Sequence, residues 1–517
     1  MIIGYPPKKL TELGSEQLGQ VVVLLGTALA GPILEPVYIS GPAQATSVFG
    51  TAGTLLNGYL DAYRVNPLAL YYLVRLNGAH ASAVLYAPED DSSGQLIDVV
   101  HLRSTDGGEA YNQITITVGD AVLAISEGGE TRTYSFQDYP TLFRLVEQIN
   151  RHASLGYSRV VASTVYPEMP SIRLVPVSTQ LGGGQDNLMP TKNDLYLLLE
   201  QAYDILEGWR TDVVVPLGVY FDDVIDPYFY GQLPAWYGES NYTAPDDYLT
   251  YTHPQTGERC TFHGQLARFC ARQTHFGLMA HGVLGLRPLP PPELVAALDF
   301  SFPVELVRYS CLHSRHGFSF KEAGTIYDRG HYLSLVCADL VSEGRRRSAA
   351  PAYAGLIAAA GLESTTNTSV SGFSEQYVEF TGEDMRHLAR WGLVTFRRSL
   401  KRGLVVTSGV TAGLGGPLHY LPNVRSVQYV VARLKHALDP YLGLTRNPVS
   451  AQDVVQQTVE QALRAMVGEG VLRWYDFSVL VDSVPRSGTS LSGKVELRLR
   501  PRYAVEDIGT SFELMIP

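Results

Sequence analysis

Apolar residues recur along this chain in three patterns, and each predicts a different element. Short unbroken apolar runs mark strands buried on both faces. "VVVLLGTA" (21–28) and "DVVVPLG" (212–218) are of this kind, and "EPVYIS" and "SAVLYAP" read as strands near the first. Strict alternation marks half-buried strands. Ile114, Ile116 and Val118 alternate with Thr115 and Thr117 inside "NQITITVGDAVLAIS", and "IDVVHL", "TRTYSF", "RVVAS" and "SIRLVPV" continue the strand-rich character. Spacing of three and four marks amphipathic helices. It predicts helices in "PLALYYLVRLNGA", through Leu68, Tyr71, Tyr72 and Arg75, in "YPTLFRLVEQINRHA", and in "LYLLLEQAYDILEG" with Asp194 as its cap. Further helices follow near 262–280, after Pro351 in "SAAPAYAGLIAAAGL", and in "TGEDMRHLARWGLVTFRRS", which runs on into a strand. "LVVTSGVTAG" reads as another strand. Near the end come two strong amphipathic helices, "VRSVQYVVARLKHALDPYLG" and "SAQDVVQQTVEQALRAMVGEGVL", then the strand "WYDFSVLVDS" and a closing strand–turn–strand over 493–517.

This order predicts a multidomain chain of α/β and α+β character. The polar cluster "PEDDSSG" (88–94) breaks a strand–helix–strand unit, and the same logic resumes after the Gly-rich "LGGGQDNLMPTKND". A compact β-rich domain over 92–180 is therefore expected as an insertion. Residues 1–20, with Pro6, Pro7, Gly14 and Gly19, read as an extended arm, and 222–345 is aromatic, Pro-rich and acidic. The terminal strand raises a question of its own, because end segments fray unless something ties them down.

The 517 residues exceed one ordinary core, and 45% hydrophobic with 18% charged residues is a globular balance. Thirty-one tyrosines suit surfaces that become buried in assemblies. A net charge of −11 argues against a nucleic-acid coat, although "GRRRS" and "RRSLKRG" concentrate positive charge locally. Cys260, Cys270, Cys311 and Cys337 are too few for a disulfide scaffold and read as reduced thiols. "VVVLLGTALAG" reads as a buried strand rather than a signal peptide, since Glu12 and Glu16 precede it and a second strand follows. No apolar run has the roughly 20 residues that span a bilayer.

Chemistry is sparse. No P-loop, GxSxG elbow or HExxH motif occurs. Cys260, His263, Cys270 and His275 have ligand types that suit zinc, but not the two close pairs of a structural site, so buried thiols with surface histidines are preferred. Asp222-Asp223 and Asp246-Asp247 read as solvated loop acids. The expectation is no enzyme, no metal and no cofactor.

Several stretches together resemble the contractile tail sheath proteins of bacteriophages, a family shared with R-type bacteriocins and other contractile injection machines. Near the start are Gly26, Thr27, Ala28, Gly31, Pro32 and Phe49-Gly50, set between a strand, a second strand and a short helix. The Gly-rich turn, helix and Val-rich strand of 181–218, the Pro-x-x-x-Ala-Gly helix start in "APAYAGLIAAAG", and the block from about 420 with Pro501 and Glu506 complete the pattern. The match covers roughly 21–90, 181–220 and 345–517 and is poor over 222–345.

The resemblance implies a discontinuous core. Its parts would be an N-terminal arm (1–20), an α/β core (21–91 and 345–410), the inserted domain (92–180) and a middle domain with a peripheral insertion (181–344). A C-terminal α+β domain (411–492) and a donated-strand arm (493–517) would follow. It implies a structural subunit that polymerises around an inner tail tube and contracts to drive the tube through a cell envelope. Its partners would be further copies of itself, the tube protein, and baseplate and neck or terminator proteins, with no direct nucleic acid and no membrane insertion. The place would be a virion tail assembled in a bacterial cytoplasm. By this resemblance Val495, Leu497, Leu499, Phe512, Leu514 and Ile516 would sit on strands donated between subunits, and Gly14, Gly19, Gly488 and Gly493 would be arm hinges. Arg464, Glu469 and Arg473 would face the tube. The alternatives are the sheath of a non-phage injection system, a tail terminator or baseplate component, and, from another class, a hydrolase with a β-rich accessory domain.

Overall fold

The computed structural model describes residues 20–89, 95–190, 192–220, 251–252, 259–260, 262–285, 319–322, 325–328, 330–337, 339–342, 345–373, 375–376, 380–413, 416–441, 448–481 and 493–501. The chain divides into two compact units. Of the described residues, one unit contains Leu25–Asn57 and Tyr72–Ile205, and the other 20–24, Gly58–Tyr71 and those from Leu206 on.

The first strands are β1 (Val21–Gly26), β2 (Val37–Ile39) and β3 (Leu70–Arg75), with helices α1 (Pro42–Phe49) and α2 (Leu55–Val65) between β2 and β3. A seven-stranded sheet has the order β2-β3-β1-β11-β14-β17-β21, where β11 is Val213–Pro216, β14 His281–Gly285, β17 Leu333–Val336 and β21 Leu393–Val394. The β11–β14, β14–β17 and β17–β21 pairs are parallel. Every residue of β1, β11, β14 and β17 is buried, as the unbroken apolar runs of β1 and β11 require. The core sheet thus draws strands from 213–336 as well as from 21–75 and 393–394.

Two expectations fail nearby. "PLALYYLVRLNGA" is not a helix: β3 runs through it, and the preceding residues 55–65 form α2 instead. Tyr71, Leu73 and Val74 are buried in β3, and the three-and-four spacing that suggested a helix also fits a strand this short. Asp194 is not a cap either. Helix α4 (Lys192–Ile205) has already started, and Asp194 lies in its first turn, where a carboxylate favours the positive end of the helix.

In the unit that contains 72–205, β4 (His80–Pro88), β5 (Leu96–Gly107) and β9 (Val160–Ser163) form an antiparallel sheet. A second sheet has the order β10-β6-β7-β8, from Thr115–Val118 (β6), Val122–Glu127 (β7), Glu130–Ser135 (β8) and Val177–Gln180 (β10). Helix α3 (Leu142–Ser154) is capped by the Thr141 hydroxyl, which accepts from the Arg144 N–H, and buries Leu142, Leu145 and Ile149. One core runs from Ala81 to Leu181. "SIRLVPV" is a single 3-10 turn over Ser171–Arg173 before β10 rather than a strand.

The other unit adds α5 (Phe262–His275) and α6 (Ala350–Ala360), which begins with Pro351 in its first turn. It also has α7 (Gly382–Arg390), closed by a capping box between Thr381 and Asp384, then α8 (Leu421–Leu438) and α9 (Pro448–Gly468). Short strands β12 (Tyr251–Thr252) and β13 (Arg259–Cys260) pair, as do β15 (Ser319–Glu322) and β16 (Thr325–Asp328). Strand β18 (Asp339–Ser342) lies between β19 (Arg345–Ser348) and β20 (Glu375–Gln376), and β22 (Phe396–Ser399) pairs with β23 (Gly403–Val406). Helix α6 is buried over nearly its whole length, and its small residues permit that. A Cβ on Gly355 would come within 2.7 Å of the Ala62 carbonyl oxygen.

Buried polar groups hold the core in register. His281 on β14 shares a 2.9 Å hydrogen bond between its Nε2 and the Ser334 hydroxyl of β17, and that hydroxyl donates to the Val410 carbonyl. Burial, then the Arg425 charge, then His331, hold the His281 pKa well below the ordinary 6.5. The folded protein therefore resists a proton that the unfolded chain accepts. Stability is full above about pH 6.5 and falls below it, by up to about 1.4 kcal/mol per pH unit, until the folded pKa is reached. His281→Asn is expected to flatten this slope, as read from urea midpoints between pH 7 and pH 5. An unchanged slope would show that other groups govern the acid limb.

Candidate assembly surface

The last described elements are built from one alternating pattern. β24 (Leu472–Val481) and β25 (Gly493–Pro501) pair antiparallel, with Tyr475 opposite Leu499, Phe477 opposite Leu497 and Val479 opposite Val495. These six side chains lie on one face. Tyr475, Phe477, Val495, Leu497 and Leu499 pack on a core containing Val430 and Leu434 of α8 and Val459, Leu463 and Met466 of α9. Leu463 is fully buried there. Leu463→Ala is expected to cost roughly 2–5 kcal/mol through lost burial and the cavity left behind, measured by chemical denaturation. A loss under about 1 kcal/mol would mean that the site collapses to fill the space.

The opposite face is exposed and polar. It carries Trp474 opposite Arg500, Asp476 opposite Arg498, and Ser478 opposite Glu496. Among the described residues, β24 and β25 form a two-stranded sheet, so each has one edge without a neighbouring strand. Gln452 at the start of α9 reaches one edge group, donating from Nε2 to the Val479 carbonyl at 3.2 Å. A strand edge offers N–H and C=O groups in a regular row, and a long two-stranded ribbon is marginal by itself. Helices α8 and α9 cover one face of this ribbon.

The sequence-predicted residues fall out unevenly. Val495, Leu497 and Leu499 are on β25, which pairs with β24 of the same chain, and their side chains pack on its helices. Their alternation fits a donated strand and an internal one equally. Gly493 stands opposite Val481 in the ladder. Phe512, Leu514, Ile516, Gly14, Gly19 and Gly488 lie outside the described residues.

The three charged candidates sit together at the end of α9 and the start of β24, but two are engaged within the chain. Arg464 donates from Nε to Glu460 at 2.6 Å, a one-turn helical pair that raises its pKa, and the Tyr475 hydroxyl donates to the same carboxylate at 3.0 Å. Glu469 accepts from the Tyr429 hydroxyl at 3.1 Å and from Arg433 at 3.2 Å, tying the end of α9 back to α8. Burial raises the Tyr429 pKa. Arg473 is exposed next to Trp474. The sequence reading missed Trp474, Arg498 and Arg500. The signal for them was present: in two alternating strands, the polar positions define the outer face as surely as the apolar ones define the inner.

No group of metal-ligating side chains occurs among the described residues. Cys270 and Cys337 are buried, and burial pushes the Cys270 pKa up, so it is a poor thiolate ligand or nucleophile. No helix of the described residues is long and apolar enough to cross a membrane.

No family model matches the chain, and no curated protein matches it in sequence. Among solved structures, a sheath tail protein from Listeria innocua aligns over 93% of this chain and 95% of its own, with 13% identity and a TM-score of 0.50. The chain has the sheath tail protein fold. A sheath tail protein from Desulfitobacterium hafniense aligns over 94% of this chain and 98% of its own at 12% identity and a TM-score of 0.47. The contracted helical sheath of the anti-feeding prophage aligns over 97% and 94%, at 11% identity and 0.46.

Proposed function

We propose that this protein is the structural subunit of a contractile tail sheath. It polymerises as a helical sleeve around an inner tube and shortens to drive that tube through a cell envelope. The observation that carries the reading is a chain of sheath fold whose last described strands form a two-stranded sheet with no further strand beside it among the described residues.

Mechanism follows from the edges. A strand donated by a neighbouring copy satisfies a row of main-chain groups, and the segments at 1–19 and 502–517 are the proposed donors, with Phe512, Leu514 and Ile516 forming one apolar stripe. Backbone ladders do not depend on how the rigid bodies are oriented, so subunits joined by arms can rotate without parting. Contraction is proposed to be a rigid-body switch between two packings, each subunit contributing a small gain in buried surface. No nucleotide enters this cycle.

Release of the inner tube calls for a polar interface more than a large apolar one. Arg473, with the outer face of the β24–β25 hairpin, is the proposed tube-facing charge, since Arg464 and Glu469 are engaged by Glu460, Tyr429 and Arg433. Baseplate and terminator proteins are proposed as partners at the two ends, in a phage tail or an extracellular injection machine. The test is negative-stain electron microscopy of the purified chain. Hollow helical tubes are expected. Discrete monomers or small rings at every concentration would overturn the polymerising reading in favour of a terminator.

A further inference from the structure

A cleft in the β-rich unit has the composition of a sugar site. It has a volume of about 400 Å³ and lies between the 3-10 turn Glu109–Gln113, the turn joining β7 to β8, and the loop after α3. That is within the size range of small-molecule sites. Gly128 and Gly129 make the β7–β8 turn with φ of 59° and 89°, the two positive angles of a tight hairpin. A Cβ on either would meet nothing, so the cleft is open on this side.

Two kinds of group line it. Tyr157 is 58% exposed and stands edge-on to His152, which fixes the ring without covering it. Tyr111 lies beneath Arg159, whose guanidinium carbon is 5.9 Å from the ring centre. The charges are balanced: Arg159 pairs with Glu127 at 3.5 Å and Arg132 with Glu130 at 2.7 Å. The Tyr111 hydroxyl is oriented by donating to Asp106 at 3.1 Å and accepts from Arg159 at 3.4 Å.

This balance decides the ligand class. An anion would have to compete with two carboxylates for the arginines, and a cation with two arginines for the carboxylates. A neutral polyol loses nothing to either. Its hydroxyls both donate and accept, which matches planar arginine donors beside carboxylate acceptors, and the Arg159 guanidinium has N–H groups beyond those that face Glu127 and the Tyr111 hydroxyl. The apolar face of a pyranose ring has an aromatic counterpart in exposed Tyr157. We propose that this cleft binds a neutral oligosaccharide, with Tyr157 as the stacking platform and Arg159, Glu127, Arg132 and Glu130 as the hydroxyl partners. The inference does not depend on the sheath reading.

The test is isothermal titration of the full chain with maltotriose and with tri-N-acetylchitotriose, with 3′-sialyllactose as the anionic comparator. Saturable binding of at least one neutral trisaccharide is expected, with Kd on the order of 1 mM. Tyr157→Ala is expected to weaken it by about tenfold or more, and Tyr157→Phe to retain it. If Tyr157→Ala does not fold, Glu130→Ala, at a side chain 75% exposed, serves in its place with a weakening of a few fold. No saturation by either neutral sugar, tighter binding of sialyllactose, or binding unchanged in the folded variant would each overturn the assignment.

Discussion

Asp212→Ala is expected to destabilise the protein by roughly 3–5 kcal/mol, the range for removing one partner of a buried ion pair. Asp212 is 1% exposed at the entry to β11. Its Oδ2 accepts the Val21 N–H at 3.0 Å, where β1 begins, and pairs with Arg210 at 3.2 Å. Its main-chain oxygen accepts from Arg425 at 3.3 Å, and Arg425, fully buried in α8, also donates to the Gly361 carbonyl at 2.7 Å. Burial lowers the Arg425 pKa from the usual arginine range, and the Asp212 charge opposes that shift. One carboxylate thus holds a strand start and faces two guanidinium groups away from water. Removing it leaves their charge in place without that compensation. Asp212→Asn keeps an acceptor for the Val21 N–H and should lose less. A urea midpoint for Asp212→Ala within about 1 kcal/mol of the parent would mean that the ion pairs contribute no more than exposed ones do.

Truncation after Pro501 is expected to abolish tube formation while leaving the subunit folded. The two outcomes separate because Pro501 is the last residue of β25 and stands opposite Leu472 in the ladder. The hairpin and the core beneath it, including Val495, Leu497 and Leu499, remain complete in the shortened chain. Circular dichroism and the urea midpoint should therefore match the full chain, and electron microscopy should show discrete particles in place of tubes. Tubes of normal appearance from the truncated chain would reject donation by this end and move attention to residues 1–19. Loss of fold together with tubes would show that 502–517 act within their own subunit.

Much of the architecture was legible because its causes are local. β1 and β11 are β-branched runs that suit a strand buried on both faces, and "NQITITVGDAVLAIS" alternates as a half-buried pair must. Helices α8 and α9 carry apolar residues at helical spacing over enough turns to leave no second reading. The family resemblance rested on the same kind of signal, glycines and prolines at turns whose geometry few other residues tolerate.

What failed depended on partners far away in sequence. Leu70–Arg75 has a spacing that suits either period, and its place beside β1 in the sheet made it a strand. Val495, Leu497 and Leu499 alternate identically whether their strand pairs at home or in a neighbour, so their packing under α8 and α9 was not legible either. Arg425 and Asp212 lie 213 positions apart, so no window of sequence could have joined them. The same holds for the cleft around Tyr157, assembled from three turns that are separate in the chain. The sequence by itself determined the strands and helices whose apolar period is unambiguous, because burial period and turn chemistry act within a few residues. Only the tertiary structure decided which strand takes which neighbour, which charges meet, and where an edge is left open. Those outcomes depend on contacts between segments whose spacing along the chain carries no record of their distance in space.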